Sequence, residues 1–286
     1  PTRRSSDLYR ILAPMKGKAI AISLISKLNY FRLGYRSLLL IGMLSYYIYT
    51  RVNNLVFFDY AKPMTYAVLG FITLSFVIEM IGRMIPAKTS SMGSQKQFKR
   101  NYLPSGEEEP ELQSWKRTLA IFLVWIGLNG IFGALYFLHL IDDGILALIS
   151  LFYSVCDMIC ILFFCPFQTW IMKNRCCGSC RIYNWDFAMI FTPLIFILVS
   201  KGEQGYSVNY FALVLVAASL ILLLIWEVTY IRHRERFSDK TNLSLLCVNC
   251  KEKLCAHKKQ LQKYLVKYHR LLRQRLNMAQ KSEKDA

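Results

Sequence analysis

The sequence lacks every short motif that would identify a common class of enzyme. It contains no phosphate-binding glycine loop, no HExxH zinc helix, no G-x-S-x-G nucleophile elbow and no pair of carboxylates at catalytic spacing. No alternation of strands and helices surrounds its C-x-x-C pairs, which argues against a thioredoxin-like redox domain. Nothing positive supports catalysis, and we therefore expect a protein that is not an enzyme.

Acidic residues are scarce, because 18 Asp and Glu stand against 36 Lys and Arg and leave a formal net charge of +18. Such an excess raises the question of nucleic acid, but no recognition motif accompanies the charge. The apolar residues, 54% of the chain, are gathered in blocks long enough to cross a bilayer as helices. Lys and Arg collect in the cytosolic loops of membrane proteins. We therefore expect the lipid bilayer, and not nucleic acid, to be the partner of this chain.

Six apolar blocks predict membrane-spanning helices. Pro166 is expected to kink the fourth block, and Pro193 interrupts the short fifth block. Loops rich in Lys and Arg alternate with short loops of little positive charge, a pattern that places both termini in the cytosol. The predicted fold is thus an all-α integral membrane protein with six transmembrane helices. The blocks cover residues 37–58, 63–85, 118–141, 144–172, 187–200 and 208–231.

Polar segments divide the chain around these blocks. Residues 1–8 resemble the translated read-through of a sequencing adapter, so we set them aside. The remaining predicted segments are a basic juxtamembrane segment at 9–36, a transmembrane domain at 37–232 with a polar and mobile loop at 86–117, and a cytosolic Cys-rich segment with a basic helix at 233–286. In residues 258–278, apolar positions recur at helical spacing opposite a basic face. This amphipathic helix is expected to contact anionic lipid or to pair with another helix.

Two C-x-x-C pairs lie in the predicted cytosolic loops. Cys177 and Cys180 form the first pair, and Cys247 and Cys250 form the second. Two thiolates at this spacing face one ion when the turn between them is tight. The hairpin of the fifth and sixth spans would bring both pairs to one face of the membrane. We expect the four thiolates to share one zinc ion, in a closed site that serves structure and not hydrolysis.

Other cysteine chemistries stay open. Cys176, Cys255 and His257 are possible additional ligands, and residues 247–257 resemble a zinc knuckle by themselves. The triplet Cys176-Cys177-Gly178, followed later by a C-x-x-C pair, resembles the cysteine-rich Cys-Cys-Gly domain of heterodisulfide-reductase-type proteins over these few residues. That resemblance implies an iron–sulfur cluster as the alternative cofactor. Free cytosolic thiols are a third possibility, whereas disulfides are disfavoured in a reducing compartment.

Polar groups inside the apolar blocks are the other candidates. Asp157 lies in the fourth block, and a carboxyl there costs several kcal/mol unless it faces a cavity or a partner. It is either functional or protonated and hydrogen-bonded to a neighbouring helix, for example at Asn129. Cys156 and Cys160 are expected to be small packing residues. Glu79 and Arg83 are expected to form a salt bridge at i,i+4, and the flanking arginines Arg36 and Arg51 to snorkel at the ends of the first span.

These patterns predict a polytopic membrane protein with a cytosolic thiolate-rich metal site and a sensory or scaffolding role. The alternatives are a membrane redox protein with an iron–sulfur cluster or a reactive dithiol, and a transporter that uses Asp157. We expect the chain to reside in a prokaryotic plasma membrane with both cysteine clusters facing the cytosol. The sequence predicts neither a substrate nor an oligomeric state.

Overall fold

The computed structural model describes residues 24–55, 57, 63–86, 93–173, 180–202, 205–246 and 249. These residues form six α-helices and one short antiparallel hairpin. The helices are α1 (Leu24–Val52), α2 (Pro63–Met84), α3 (Trp115–Phe137), α4 (Asp143–Leu162), α5 (Asp186–Phe191) and α6 (Tyr210–Arg232). The hairpin pairs β1 (Val199–Gly202) with β2 (Gly205–Val208). It connects α6 to the α5 region, by which we mean α5 and the residues that follow it as far as Ile197. The predicted amphipathic helix of residues 258–278 lies outside the described residues.

Four helices in the described part of the chain are long and apolar enough to cross a membrane. They are Thr65–Met84 within α2, together with α3, α4 and α6. A helix of this length spans the hydrocarbon core and bonds all of its own backbone groups there. Large apolar side chains such as Phe122, Leu123 and Val124 cover the outside of α3, as lipid contact requires. Helices long and apolar enough to cross a membrane are thus confirmed for the second, third, fourth and sixth predicted blocks.

The first predicted block belongs to a longer and more polar helix. α1 contains 29 residues, which corresponds to about 43 Å of helix. It begins at Leu24, inside the stretch 9–36 that was predicted to be a basic juxtamembrane segment. α1 is therefore long enough to cross a membrane. Its composition distinguishes it from the four apolar helices, because it carries Lys27, Arg32 and Arg36.

The fifth predicted block is not one continuous α-helix. α5 ends at Phe191, and a 3₁₀ segment, Thr192–Ile197, continues the chain to the hairpin. Pro193 lies at the start of that segment, where its missing N–H costs no hydrogen bond. Apolar side chains along both parts are buried in the main core, among them Phe187, Ile190, Phe191, Leu194 and Ile197.

The fourth predicted block ends as an α-helix ten residues earlier than expected, at Leu162 and not at Met172. The chain then leaves the helix, and Pro166 leads into one π-helical turn, Phe167–Ile171. Proline is tolerated at the start of a helical turn but not in its interior. Pro166 therefore begins a new turn after the helix has stopped, instead of kinking a continuous helix.

Side-chain contacts fix the directions of the helices. α1 runs antiparallel to α4, because Tyr30 contacts Phe163 near one end and Tyr47 donates a hydrogen bond to Asp142 near the other. The beginnings of α2 and α6 lie together, because Tyr66 contacts Phe211. The beginnings of α2, α4 and α6 thus lie towards the end of the molecule that holds the hairpin.

α3 runs parallel to the α5 region. Trp125 Nε1 donates to Thr192 Oγ1 at 3.2 Å, and further along both segments Phe137 packs against Phe196. A Cβ placed on Gly133 would come within 2.5 Å of the Phe196 ring, so a residue without a side chain permits this close approach. The α5 region is therefore held between α3 on one side and the main core on the other.

The described part of the polar loop is docked against the chain that follows α6. Asn242 is completely buried, and its Nδ2 donates to the carbonyl oxygens of Lys96 and Arg236. The Leu243 amide donates to Leu103 O at 2.8 Å, and Ser105 Oγ donates to Lys240 O at 2.5 Å. Residues 93–111 are thus folded onto residues 234–246, which differs from the mobile loop expected at 86–117. We call this assembly the cap.

Candidate functional site: a buried charge network and a thiol-lined cavity

Arg36 of α1 is the centre of a buried ion-pair network. Only 2% of its side chain is exposed. Its Nη2 donates to Glu79 Oε2 of α2 at 2.5 Å, and its Nη1 donates to Asp157 Oδ2 of α4 at 3.3 Å and to Ser154 O at 2.9 Å. One guanidinium therefore connects three helices.

A second pair extends the network to the beginning of α5. Arg83 Nη2 of α2 donates to Asp186 Oδ2 at 2.6 Å, and the other oxygen of Asp186 accepts from the Phe187 amide. Arg32 adds a longer contact to Glu79 at 3.7 Å. Three arginines thus face three carboxylates, and the network carries no net formal charge. We call it the charged layer: Arg32, Arg36, Glu79, Arg83, Asp157 and Asp186.

Aromatic rings cover the guanidinium groups. The Phe187 ring centroid lies 6.0 Å from the Arg36 guanidinium carbon and 5.8 Å from that of Arg83, so one ring serves both cations. Phe76 and Tyr183 cover the other sides, with centroids at 5.3 Å from Arg36 and 4.7 Å from Arg83. Cation–π attraction strengthens when the groups are removed from water. These rings therefore help to keep two arginines inside an otherwise apolar helix bundle.

The charged layer is costly to maintain. Each ion pays a desolvation penalty of several kcal/mol, and even a well-made buried pair often stabilises a protein no better than apolar packing would. The Nε of Arg36 is buried and has no hydrogen-bond partner. Ionisable groups inside a membrane domain are therefore more often retained for function than for stability.

A cavity of about 130 Å³ borders the charged layer. Asp157 and Asp186 contribute to its wall, and the hydroxyl of Tyr153, which also lines it, is buried without a hydrogen-bond partner. Four cysteines line the same cavity: Cys156, Cys160, Cys165 and Cys180. The cavity wall therefore combines two carboxylates with four thiols.

The wall segment that carries Cys180 is clamped to α6. The Arg181 guanidinium forms a two-point ion pair with the Glu227 carboxylate, and its Nε lies 3.1 Å from Glu227 Oε1. Trp185 Nε1 donates to the same oxygen at 2.6 Å, and the Tyr230 ring stacks over the guanidinium. Two-point pairing fixes direction as well as distance. Cys180 is thereby held in a buried position, with 4% of its surface exposed.

The structure gives Asp157 both of the surroundings that the sequence left open. It pairs with Arg36, and it faces a cavity. Asn129 is not its partner, because the Asn129 side-chain amide donates to Trp125 O within α3. Cys156 and Cys160, expected to be packing residues, are part of the cavity wall.

The structure differs from two expectations about charged residues. Glu79 and Arg83 are bonded to Arg36 and Asp186 on other helices, and not to each other as i,i+4 spacing suggested. Arg36 does not snorkel to the membrane surface, whereas Arg51 does lie at an exposed position, where it pairs with Asp142. The sequence signalled half of this network, because Glu79, Arg83 and Asp157 lie inside apolar blocks, where a charged group is costly. The other three members lie outside the predicted blocks and carried no such signal.

The proposed zinc site falls almost wholly outside the described residues. Of its four ligands only Cys180 is described, and Cys176, Cys177, Cys247, Cys250, Cys255 and His257 are not. In the described ranges, no group of three or more His, Cys, Asp or Glu side chains is arranged to hold a metal ion. The shared zinc site stays a prediction.

Comparison with known proteins adds no identification. No family model matches the chain, and neither a curated protein nor a solved structure matches it. Function is therefore argued from the geometry of the site.

Proposed function

We propose that this chain is a membrane transporter in which the Asp157 carboxylate binds and releases a cation or proton. The observation that carries the proposal is the position of Asp157 between the buried Arg36 guanidinium and the cavity. A carboxylate in this position exchanges one positive partner for another without leaving the membrane domain. Alternating pairing of this kind is how intramembrane acids couple binding to movement.

The two partners of Arg36 are held unequally. The Arg36–Glu79 contact is 2.5 Å and the Arg36–Asp157 contact is 3.3 Å. The Asp157 side chain is also 18% exposed, whereas the Arg36 side chain is 2% exposed. A cation in the cavity therefore competes with Arg36 for Asp157, while Glu79 keeps the guanidinium partly neutralised.

The six-span topology with both termini cytosolic is part of the proposal. Helix directions support it, because the α5 region leads from Asp186 in the charged layer to the hairpin from which α6 begins. In this arrangement, the charged layer lies in the cytosolic half of the membrane and the cap lies on the cytosolic surface. The basic loops 86–117 and 233–286 would then be on the same side, as the positive-inside rule requires.

Asp157→Asn tests the transport role. We expect the variant to lose dye-reported proton or cation flux in liposomes, while its melting temperature in detergent stays within a few degrees of the parent protein. Asp142→Asn is the matched control, since Asp142 pairs with an arginine that is 64% exposed, and we expect it to keep the flux. If Asp157→Asn retains full flux and only melts earlier, Asp157 is a packing residue.

A structural zinc ion in the cytosolic part is a second candidate, and the cap favours it. The segment Gly93–Gln97 bonds in two directions: Gln97 Oε1 accepts from Asn184 Nδ2, and Lys96 O accepts from Ser244 Oγ. Asn184 lies four residues after Cys180, and Ser244 lies three residues before Cys247. One short segment thus connects the two cysteine-bearing regions, which suits a sensory or scaffolding module.

Metal analysis of the purified chain tests that candidate. We expect about one zinc per chain, lost in Cys177→Ser and in Cys250→Ser but retained in the control Cys156→Ser. A brown protein with visible absorption would instead indicate the iron–sulfur alternative. A colourless and metal-free protein would leave free thiols or a reactive dithiol.

A further inference from the structure

Four thiols surround one cavity although they come from three separate parts of the chain. Cys156 and Cys160 lie one turn apart on the same face of α4, Cys165 follows the end of that helix, and Cys180 enters from the clamped segment. All four are present as thiols. The Cys160 and Cys165 side chains are hydrogen-bonded to each other, and Cys165 Sγ also accepts from the Gln168 amide at 3.4 Å.

Soft donors outnumber the hard ones in the cavity wall. Four thiol sulfurs and the Met189 thioether line it beside the carboxylates of Asp157 and Asp186. Thiolate and thioether ligands select copper(I), zinc and iron–sulfur clusters, whereas carboxylate and carbonyl oxygens suit harder ions. Zinc in proteins takes four ligands, whereas the thiol contact in this cavity is a pair, Cys160 with Cys165. A close pair of thiols suffices for copper(I), which accepts two sulfurs in line.

We propose that the cavity is a binding site for copper(I), with the thiolates of Cys160 and Cys165 as its two ligands. The inference rests on the proposed transport function, for which it names a soft monovalent metal ion as the substrate. Cys156, Cys180 and Met189 provide further sulfurs along the cavity wall. The ion enters and leaves by exchange between neighbouring sulfurs.

The charges of this binding step balance through Asp157. The two thiols lose two protons and two sulfur–copper bonds form, so the copper dithiolate carries one negative charge. Asp157 lines the same cavity and takes up one of these protons, while the other leaves the site. One copper(I) thus enters for each proton released, and the net charge of the site does not change. No electron is transferred.

Residue-resolved labelling of the intact chain in detergent tests the proposal. Copper(I) is supplied from a bicinchoninate complex under reducing, oxygen-free conditions, thiols are then alkylated with N-ethylmaleimide, and each cysteine is read by peptide mass spectrometry. We expect copper(I) to slow the labelling of Cys160 and Cys165 at least about tenfold. Zinc at the same concentration is expected to leave both rates unchanged. Unchanged rates with copper(I) would overturn the proposal.

A double variant gives a second, independent measurement. We expect Cys160→Ser with Cys165→Ser to bind one equivalent of copper(I) fewer than the parent chain, and the control Ser150→Ala, on the same helix but away from this cavity, to bind the same number. Equal copper in the double variant and the parent would also overturn the site. If the double variant does not fold, the labelling of the parent chain decides alone. Loss of copper binding with intact flux removes this inference only, whereas Asp157→Asn with intact flux removes the transport function.

Discussion

At the residue scale, the charged layer depends on how Arg36 divides its guanidinium between two carboxylates. Lysine could not replace it, because a single ammonium lacks the planar fork that reaches Glu79 and Asp157 at the same time. The aromatic faces of Phe76 and Phe187 also suit a flat guanidinium. The identity of this residue is therefore as important as its charge.

Arg36→Ala is expected to destabilise the protein by about 3–5 kcal/mol, because it removes the cation shared by two largely buried carboxylates and leaves Glu79 only the longer contact to Arg32. The measurement is reversible denaturation in detergent micelles. Arg51→Ala is the control: its ion pair with Asp142 is exposed, and we expect a change of about 0–1 kcal/mol. Arg36→Ala and Arg51→Ala of equal stability would mean that Arg36 does not hold the layer together.

At the element scale, the α5 region is the part whose shape departs most from a simple membrane helix. Six α-helical residues and six 3₁₀ residues replace the predicted continuous span. The 3₁₀ form rises about 2.0 Å per residue instead of 1.5 Å, so the short segment covers more distance than an α-helix of equal length. Its stability comes from packing against α3, α4 and α6, because an isolated helix this short does not form.

Gly133→Ala tests the contact between α3 and the 3₁₀ segment. The new methyl group would overlap the Phe196 ring, and we expect a loss of about 1–3 kcal/mol in thermal or denaturant unfolding. Gly127→Ala, on the same helix with nothing within 4 Å, is the control and is expected to be neutral or stabilising. In the double variant with Phe196→Ala, the cost of Gly133→Ala should largely disappear. An undiminished cost would show that the ring is not the obstacle.

Asn242→Ala tests the cap. The change removes the bonds that its buried amide makes to Lys96 and Arg236, and an unsatisfied buried polar group costs about 1–3 kcal/mol. We expect faster amide hydrogen exchange across residues 96–105 with little change in the membrane helices. Asn249→Ala, at an exposed position, should leave exchange in those residues as it was. Equal protection in both variants would mean that other contacts hold the cap.

At the scale of the whole molecule, two polar levels lie at opposite ends of the helices. The charged layer and the cap are at one end, and the hairpin with the Arg51–Asp142 pair is at the other. Between them the core is apolar, with Phe76, Leu146, Phe191 and Leu222 almost completely buried. This separation is what a bilayer requires, since polar groups are tolerated near its faces and are costly at its centre.

Reporter fusions test the orientation of these two ends. A reporter placed at Gly106 in the cap should be active on the cytosolic side, and reporters placed at Asp142 or in the hairpin should be active on the opposite side. Cytosolic activity at Asp142 and in the hairpin would contradict the six-span arrangement. The result is independent of which ion or metal the cavity binds.

Local patterns in the sequence were enough to predict the long apolar helices. Length and hydropathy are local properties, so blocks of apolar residues predicted α2, α3, α4 and α6 directly. Asp157 was also a candidate from the sequence, because a carboxyl inside an apolar block is costly wherever the block packs. The metal site shared by the two cysteine pairs remains a prediction of spacing alone.

The contacts between polar groups, in contrast, follow from how the helices pack. Arg36 is 43 residues from Glu79 and 121 residues from Asp157, and no periodicity in the sequence relates positions so far apart. The neighbouring residues in the sequence predicted that Arg36 lies at the end of a span and that Glu79 pairs with Arg83. Packing of α1 against α2 and α4 gives both residues other partners. A buried charge pairs with an opposite charge that the fold places close to it. The thiol-lined cavity has the same origin: four cysteines share it because α4, the turn after it and the Arg181 clamp converge there.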